Sequence, residues 1–164
     1  MVIEPVNFSR SQIESIAQKF AELTNFTPCV TDIYKYVESL GGTFNYSDEK
    51  IDENGGSIDV VGPKEFTINL SKNTSAKRDV FTIAHELGHF VLHSKLGLIQ
   101  LKAGRDENID TAEREANSFA AAFLMPAELV KSKHHDLSGN LYSLADAFNV
   151  SLSAITWRCK NLGL

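Results

Sequence analysis

Five consecutive residues, His85-Glu86-Leu87-Gly88-His89, constrain this 164-residue chain more than any other feature. Four residues of α-helix advance about 6 Å and turn about 400°, so the two imidazoles leave one face, one turn apart, where a single zinc ion can bridge them. Glu86 lies about 100° around the axis from His85, beside such an ion and outside its ligand set, placed to accept a proton from a zinc-bound water. Chance produces this pattern in a chain of this composition roughly 0.01 times. The plainer alternative is a surface helix that happens to carry two histidines and an ordinary glutamate.

Catalytic zinc takes three protein ligands and keeps one position for water, so a third donor is required. His93 is the near neighbour in sequence. A regular helix puts it about 12 Å from His85, whereas two ligands of one zinc lie at most about 4 Å apart. His93 is therefore expected as a hydrogen-bonding neighbour of the ligands. Glu113 is the stronger candidate. It sits in Glu113-Arg114-Glu115-Ala116-Asn117, on a helix whose Ala116, Ala120 and Phe123 allow close helix approach. Asn117, one turn further on the same side, can hold a liganding histidine in orientation. Two alternatives stay open here: Glu113 as the partner of Asp110 in a capping box, and Glu115 as the ligand, although it points about 200° away from Glu113. A second hydrogen bond to an oxyanion has three candidate donors, His134, His135 and Tyr142, and the sequence does not choose among them.

Helical spacing of Ile13, Ile16, Ala17, Phe20 and Leu23 predicts a helix from Ser9 to Leu23, and a shorter one follows from Thr31 to Leu40. Thr43 to Tyr46, Ser57 to Val61 and Glu65 to Leu70 read as strands, separated by Asn54-Gly55-Gly56 and Gly62-Pro63. The last of them is a candidate edge for pairing with an extended substrate. Further helices are expected from Ala76 to His93, from Asp110 to Met125 where Pro126 stops it, and twice in the tail, with Ser151 capping the second. The fold class is α+β: a small, mostly antiparallel three-stranded sheet packed with helices, a zincin-like helix, and a helical tail. Residues 1–140 form the main domain, and 141–164 pack on it.

Composition narrows the classes. A net charge of −5, with no dense run of Lys and Arg, argues against direct nucleic-acid binding. No basic, apolar leader and no stretch near about 20 apolar residues is visible, so a cytoplasmic protein without a membrane partner is expected. Cys29 and Cys159 form no Cys-x-x-Cys pair, which disfavours a disulfide scaffold or a zinc ribbon.

Arg78-Asp79-Val80-Phe81-Thr82-Ile83-Ala84-His85-Glu86-Leu87-Gly88-His89, with Glu113-Arg114-Glu115-Ala116-Asn117-Ser118-Phe119-Ala120-Ala121 and Leu124-Met125-Pro126, resembles the ImmA/IrrE family of zinc metallopeptidases. The resemblance implies a Zn2+ cofactor and a third ligand in the Glu-x-x-Ala-Asn segment, at Glu113. Several members cleave a helix-turn-helix transcriptional repressor. The implied function is therefore cleavage of such a repressor by a zinc-bound water, relieving repression of a mobile element or stress genes. The tail, Leu144 to Leu164, is also similar to the family's C-terminal segment and looks like half of a helix-turn-helix. A docked helical pair built on Leu144, Phe148, Val150, Ile155 and Trp157 is the preferred reading, because Arg158 and Lys160 are too few for a phosphate-binding surface. Two rival functions are a non-hydrolytic regulator that binds a repressor or DNA, and a toxin-antitoxin component.

Overall fold

In the computed structural model, which describes residues 3–48, 55–101 and 109–164, the elements follow the order α1 (Arg10–Leu23), α2 (Ile33–Ser39), β1 (Gly42–Ser47), β2 (Gly56–Gly62), β3 (Glu65–Ser71), α3 (Ala76–Gly88), a π-helical turn (His89–His93), α4 (Ile109–Leu124), α5 (Ala127–Asp136), α6 (Leu141–Phe148) and α7 (Leu152–Leu162). The Asn54 turn residue lies outside the described residues. Local chemistry sets most boundaries. Ser9 and Gln12 form a capping box at α1. The second helix starts later than Thr31 because the Asp32 carboxylate accepts the N–H groups of Tyr34 and Lys35. Ser75 caps α3 and Ser151 caps α7 in the same way. Asn149, left-handed at φ 52°, ends α6.

The α+β class holds, with three strands in the order β1-β3-β2; β2 runs antiparallel to β3, and β1 runs parallel to it. Phe66, Ile68 and Leu70 of β3 are buried, as their alternation requires. The topology corrects one expectation: β3 is the central strand, bonded on both sides, and offers no edge to a substrate. The strand at the margin beside the His-Glu-x-x-His helix is β2. A Cβ at Gly56, its first residue, would stand 2.4 Å from Thr82 Cγ2 and 3.4 Å from Glu86 Oε1, so β2 starts directly against that helix.

Two helical features differ from expectation. The helix expected to run regularly to His93 becomes a π turn at His89–His93, closed by the Ser94 N–H on the His89 carbonyl at 2.9 Å. Pro126, expected only to stop a helix, also serves as the N-cap of α5. This helix is hidden in the sequence because Leu129 and Val130 are its only apolar residues larger than alanine. Its readable signal was charge: Glu128 in the first turn and Lys133, His134 and His135 in the last complement the helix dipole.

One hydrophobic cluster joins α1, the sheet, α3, α4 and the tail, with Leu144, Phe148, Val150 and Ile155 inside it. Trp157 departs from the expected core role. It is 43% exposed, with the Arg10 guanidinium 5.5 Å from its ring centroid. Arg158 is buried instead. Its Nε donates to the Met125 carbonyl at 2.9 Å, and its guanidinium pairs with Glu14, tying α7 to the end of α4 and to α1. That cation is thereby withdrawn from the surface. Among the described residues no helix is long and apolar enough to cross a membrane.

Arg158→Leu leaves Glu14 and the Met125 carbonyl without their partner, and breaking a buried pair from one side costs about 3–5 kcal/mol. Urea unfolding should show a loss in that range. A loss below about 1 kcal/mol would mean that the pair is effectively solvated.

Candidate metal centre

Helix α3 presents His85 and Glu86, and the first residue of the π turn supplies His89. What brings α4 to them is Gly88. A Cβ there would lie 3.0 Å from Ala116 Cα, 3.1 Å from the Ala116 carbonyl oxygen and 3.3 Å from Phe119 Cβ. The two helices therefore cross at backbone distance. Glu113, about one turn before Ala116 on α4, then reaches the imidazoles.

His85 Nε2 lies 3.0 Å from Glu113 Oε2, His89 Nε2 lies 3.1 Å from Glu113 Oε1, and the two Nε2 atoms are 3.1 Å apart. Each spacing is below the limit of about 4 Å for two ligands of one zinc. One donor atom from each of the three residues falls within 4.8 Å of the others, a grouping suited to a metal ion. The donor set fits zinc: two nitrogens and a carboxylate oxygen, from three residues, leaving a position free for water. Both carboxylate oxygens of Glu113 face the imidazoles.

The rings are held from behind. His85 Nδ1 donates to Asn117 Oδ1 at 3.0 Å, which leaves its Nε2 lone pair directed into the cluster. His89 Nδ1 lies 3.0 Å from His93 Nδ1, and His93 Nε2 lies 3.0 Å from Glu115 Oε2. The structure thus places Asn117 and His93 each against one imidazole of the cluster. The pairing of His93 with Glu115 was not read from the sequence. It depends on the π turn, which no residue pattern announces.

Burial is the largest influence on the titration of each member of this group. It pushes His89 down to about 4, the Glu113 hydrogen bond opposing and the charges of His85 and His93 assisting. It also works to lower His85, but the Glu113 hydrogen bond, the charges of Glu86 and Glu113 and the Asn117 contact together leave His85 above its ordinary value. Burial would raise Glu113, yet its pairing with both imidazoles holds its carboxyl well below the usual carboxylate range. Glu113 is thus anionic and His89 neutral at neutral pH, the forms that bind metal, while His85 binds its proton more tightly than usual.

Glu86 is buried on the same helix, with Oε1 near the start of β2. A cavity of about 480 Å³ opens beside His85 and Asn117, lined also by Arg78, Phe81, Ser151 and Ser153. His134, His135 and Tyr142 do not line it. The two histidines sit in the last turn of α5, and Tyr142, 72% exposed, in the first turn of α6.

Two imidazoles one turn apart with an adjacent acid, a small sheet alongside and a carboxylate from the next long helix make a candidate metal centre of the metallopeptidase type. Residues 47–160 match the model of the peptidase M78 family, described as the IrrE N-terminal-like domain, and the chain belongs to that family. Among solved structures, a Mycobacterium tuberculosis transcriptional regulator is similar in fold, with a TM-score of 0.62 and 16% identity over 88% of this chain. The chain spans 45% of the length of that regulator. No curated protein matches it.

Two outcomes follow from this geometry. Asn117→Leu removes the acceptor behind His85, and chelator competition should show zinc binding weakened by about 10–100-fold. An unchanged affinity would show that the contact does not orient the ring. Gly88→Ala gains about 1 kcal/mol of helix propensity and loses about 1–3 kcal/mol to overpacking against Ala116. Stability should thus move little, while zinc affinity drops because Glu113 is displaced. Parent-like affinity would contradict the role given to the helix crossing.

Proposed function

We propose that this chain is a zinc-dependent peptidase in which His85, His89 and Glu113 hold the ion, Glu86 is the general base, and the substrate is a helix-turn-helix transcriptional repressor. The observation that carries this reading is the convergence of the three donor atoms from α3, the π turn and α4, with a buried glutamate next to one of the histidines. Bound there, zinc would supply Lewis acidity, polarising a scissile carbonyl and lowering the pKa of a water toward roughly 7. Glu86 takes the proton of the attacking water and passes it to the leaving amine. Asn117 and His93 keep the two imidazoles in orientation, so their lone pairs do not have to be aligned at the moment of reaction.

An extended segment of substrate fits the start of β2 beside Glu86, short of Val60, whose N–H and carbonyl already pair with Leu101. Such pairing favours a flexible stretch of a partner over a folded helix. The choice of a repressor rests on the ImmA/IrrE resemblance and family membership, and it agrees with a structural neighbour described as a transcriptional regulator.

Glu86→Gln keeps the ligand set and removes the base. Incubated with a helix-turn-helix repressor that the parent cleaves, this variant should retain the parent's zinc content and cleave at least about 100-fold more slowly. The parent should cleave, and a chelator should stop it. Parent-like cleavage by Glu86→Gln would reject the assigned base. Binding of an intact repressor by the zinc-loaded parent, with no fragments formed, would favour a non-hydrolytic regulator instead.

A further inference from the structure

A polar chain starts at His89 and crosses the interior to the N-terminal segment. His89 Nδ1 meets His93 Nδ1 at 3.0 Å, and His93 Nε2 meets Glu115 Oε2 at 3.0 Å. The same carboxylate oxygen accepts the Val6 N–H at 3.0 Å. His89, His93 and Glu115 are 2%, 4% and 4% exposed. The other oxygen, Glu115 Oε1, is buried with no hydrogen-bond partner among the described residues.

This arrangement is costly unless it serves something. Glu115 shares its helix with the buried Ala112, Ala116 and Phe119, where an apolar side chain of similar volume would avoid desolvating a carboxylate. The π turn falls on His89 and His93 themselves, and such turns are uncommon and collect at functional sites. Hydrogen-bond valence then gives the chain a direction. An imidazole that offers Nε2 to a metal carries its proton on Nδ1. His89 Nδ1–H must therefore donate, and His93 Nδ1 must accept. His93 is left with its proton on Nε2, and that N–H donates to the Glu115 oxygen. An acceptor at the far end is what makes every link consistent.

We propose that Glu115 is a positioning residue of the metal centre, acting through His93 to fix the tautomer and orientation of His89, with the N-terminal segment docked at Val6 as part of the same unit. The proposal rests on the metal-ligand reading of His85, His89 and Glu113 and adds a residue outside that set. It also explains why residues about 110 positions apart, Val6 and Glu115, are joined at a buried oxygen. Packing of the N-terminal segment and alignment of the ligand share one acceptor.

The test uses the full chain loaded with zinc and labelled with 15N at histidine. The parent spectrum should show His89 protonated at Nδ1 and His93 at Nε2; a His93 proton on Nδ1 overturns the relay. Glu115→Met keeps much of the side-chain volume and removes the acceptor. Chelator competition should show its zinc affinity reduced by about 10–100-fold, with His93 distributed between tautomers, and with circular dichroism close to the parent's when both are stripped of metal. Unchanged affinity together with an unchanged His93 tautomer overturns the proposal. Should the variant fail to fold, the parent spectrum alone decides. A parent that takes up no zinc defeats the metal reading and this inference with it, whereas a zinc-loaded parent and an unaffected variant defeat the relay alone.

Discussion

The crossing of α3 and α4 at Gly88 and Ala116 sets the distance on which the site depends. An imidazole pair one turn apart can be written into any helix, but a carboxylate from a second helix reaches it only where the backbones come close. Gly88 and Ala116 supply that approach, and the buried Phe119 and Phe123 lock the same helix into the aromatic core through Phe20, Phe26 and Tyr36. The position of Glu113 is thus a product of core packing as much as of its own sequence neighbourhood.

That packing surrounds a dense polar cluster with apolar material. His85, Glu86, His89, His93 and Glu115 are all buried, beside a core of leucines, isoleucines and phenylalanines. Buried ionisable groups cost free energy unless each is paired, and several kcal/mol per ion is the usual scale. Here the pairing is organised around two imidazole edges. The Nε2 edges turn toward Glu113 and each other, and the Nδ1 edges are taken by Asn117 and His93. His85, His89 and Glu113 would hold a divalent cation there, and it would satisfy lone pairs that protons can only share.

Much of this was legible from residues alone, and the remainder fails for identifiable reasons. Caps such as Ser9, Ser75 and Ser151 act within three residues, so the helix starts could be read locally. The placement of His85 and His89 on one face follows from helix geometry. Glu113 is different: spacing left the capping-box alternative and Glu115 open, and the ImmA/IrrE resemblance tipped the choice. Strand order is a long-range property, so the residues of β3 alone do not show that it is the centre of the sheet. Helix α5 carries too few apolar residues for periodicity to announce it, and the π turn has no residue signature. Glu115 could not be linked to His93 without both the turn and the helix crossing. Trp157 looked like core by residue type alone, yet Arg158 beside it is the buried one.

X-ray absorption at the zinc edge of the zinc-loaded protein tests the central claim most directly. The account predicts one tightly bound ion per chain with nitrogen and oxygen neighbours at about 2.0–2.2 Å, two of them giving the outer-shell pattern of imidazole, and no sulfur. A sulfur neighbour at about 2.3 Å, which only Cys29, Cys159 or a methionine could provide, or a protein that retains no ion against a weak chelator, would contradict it.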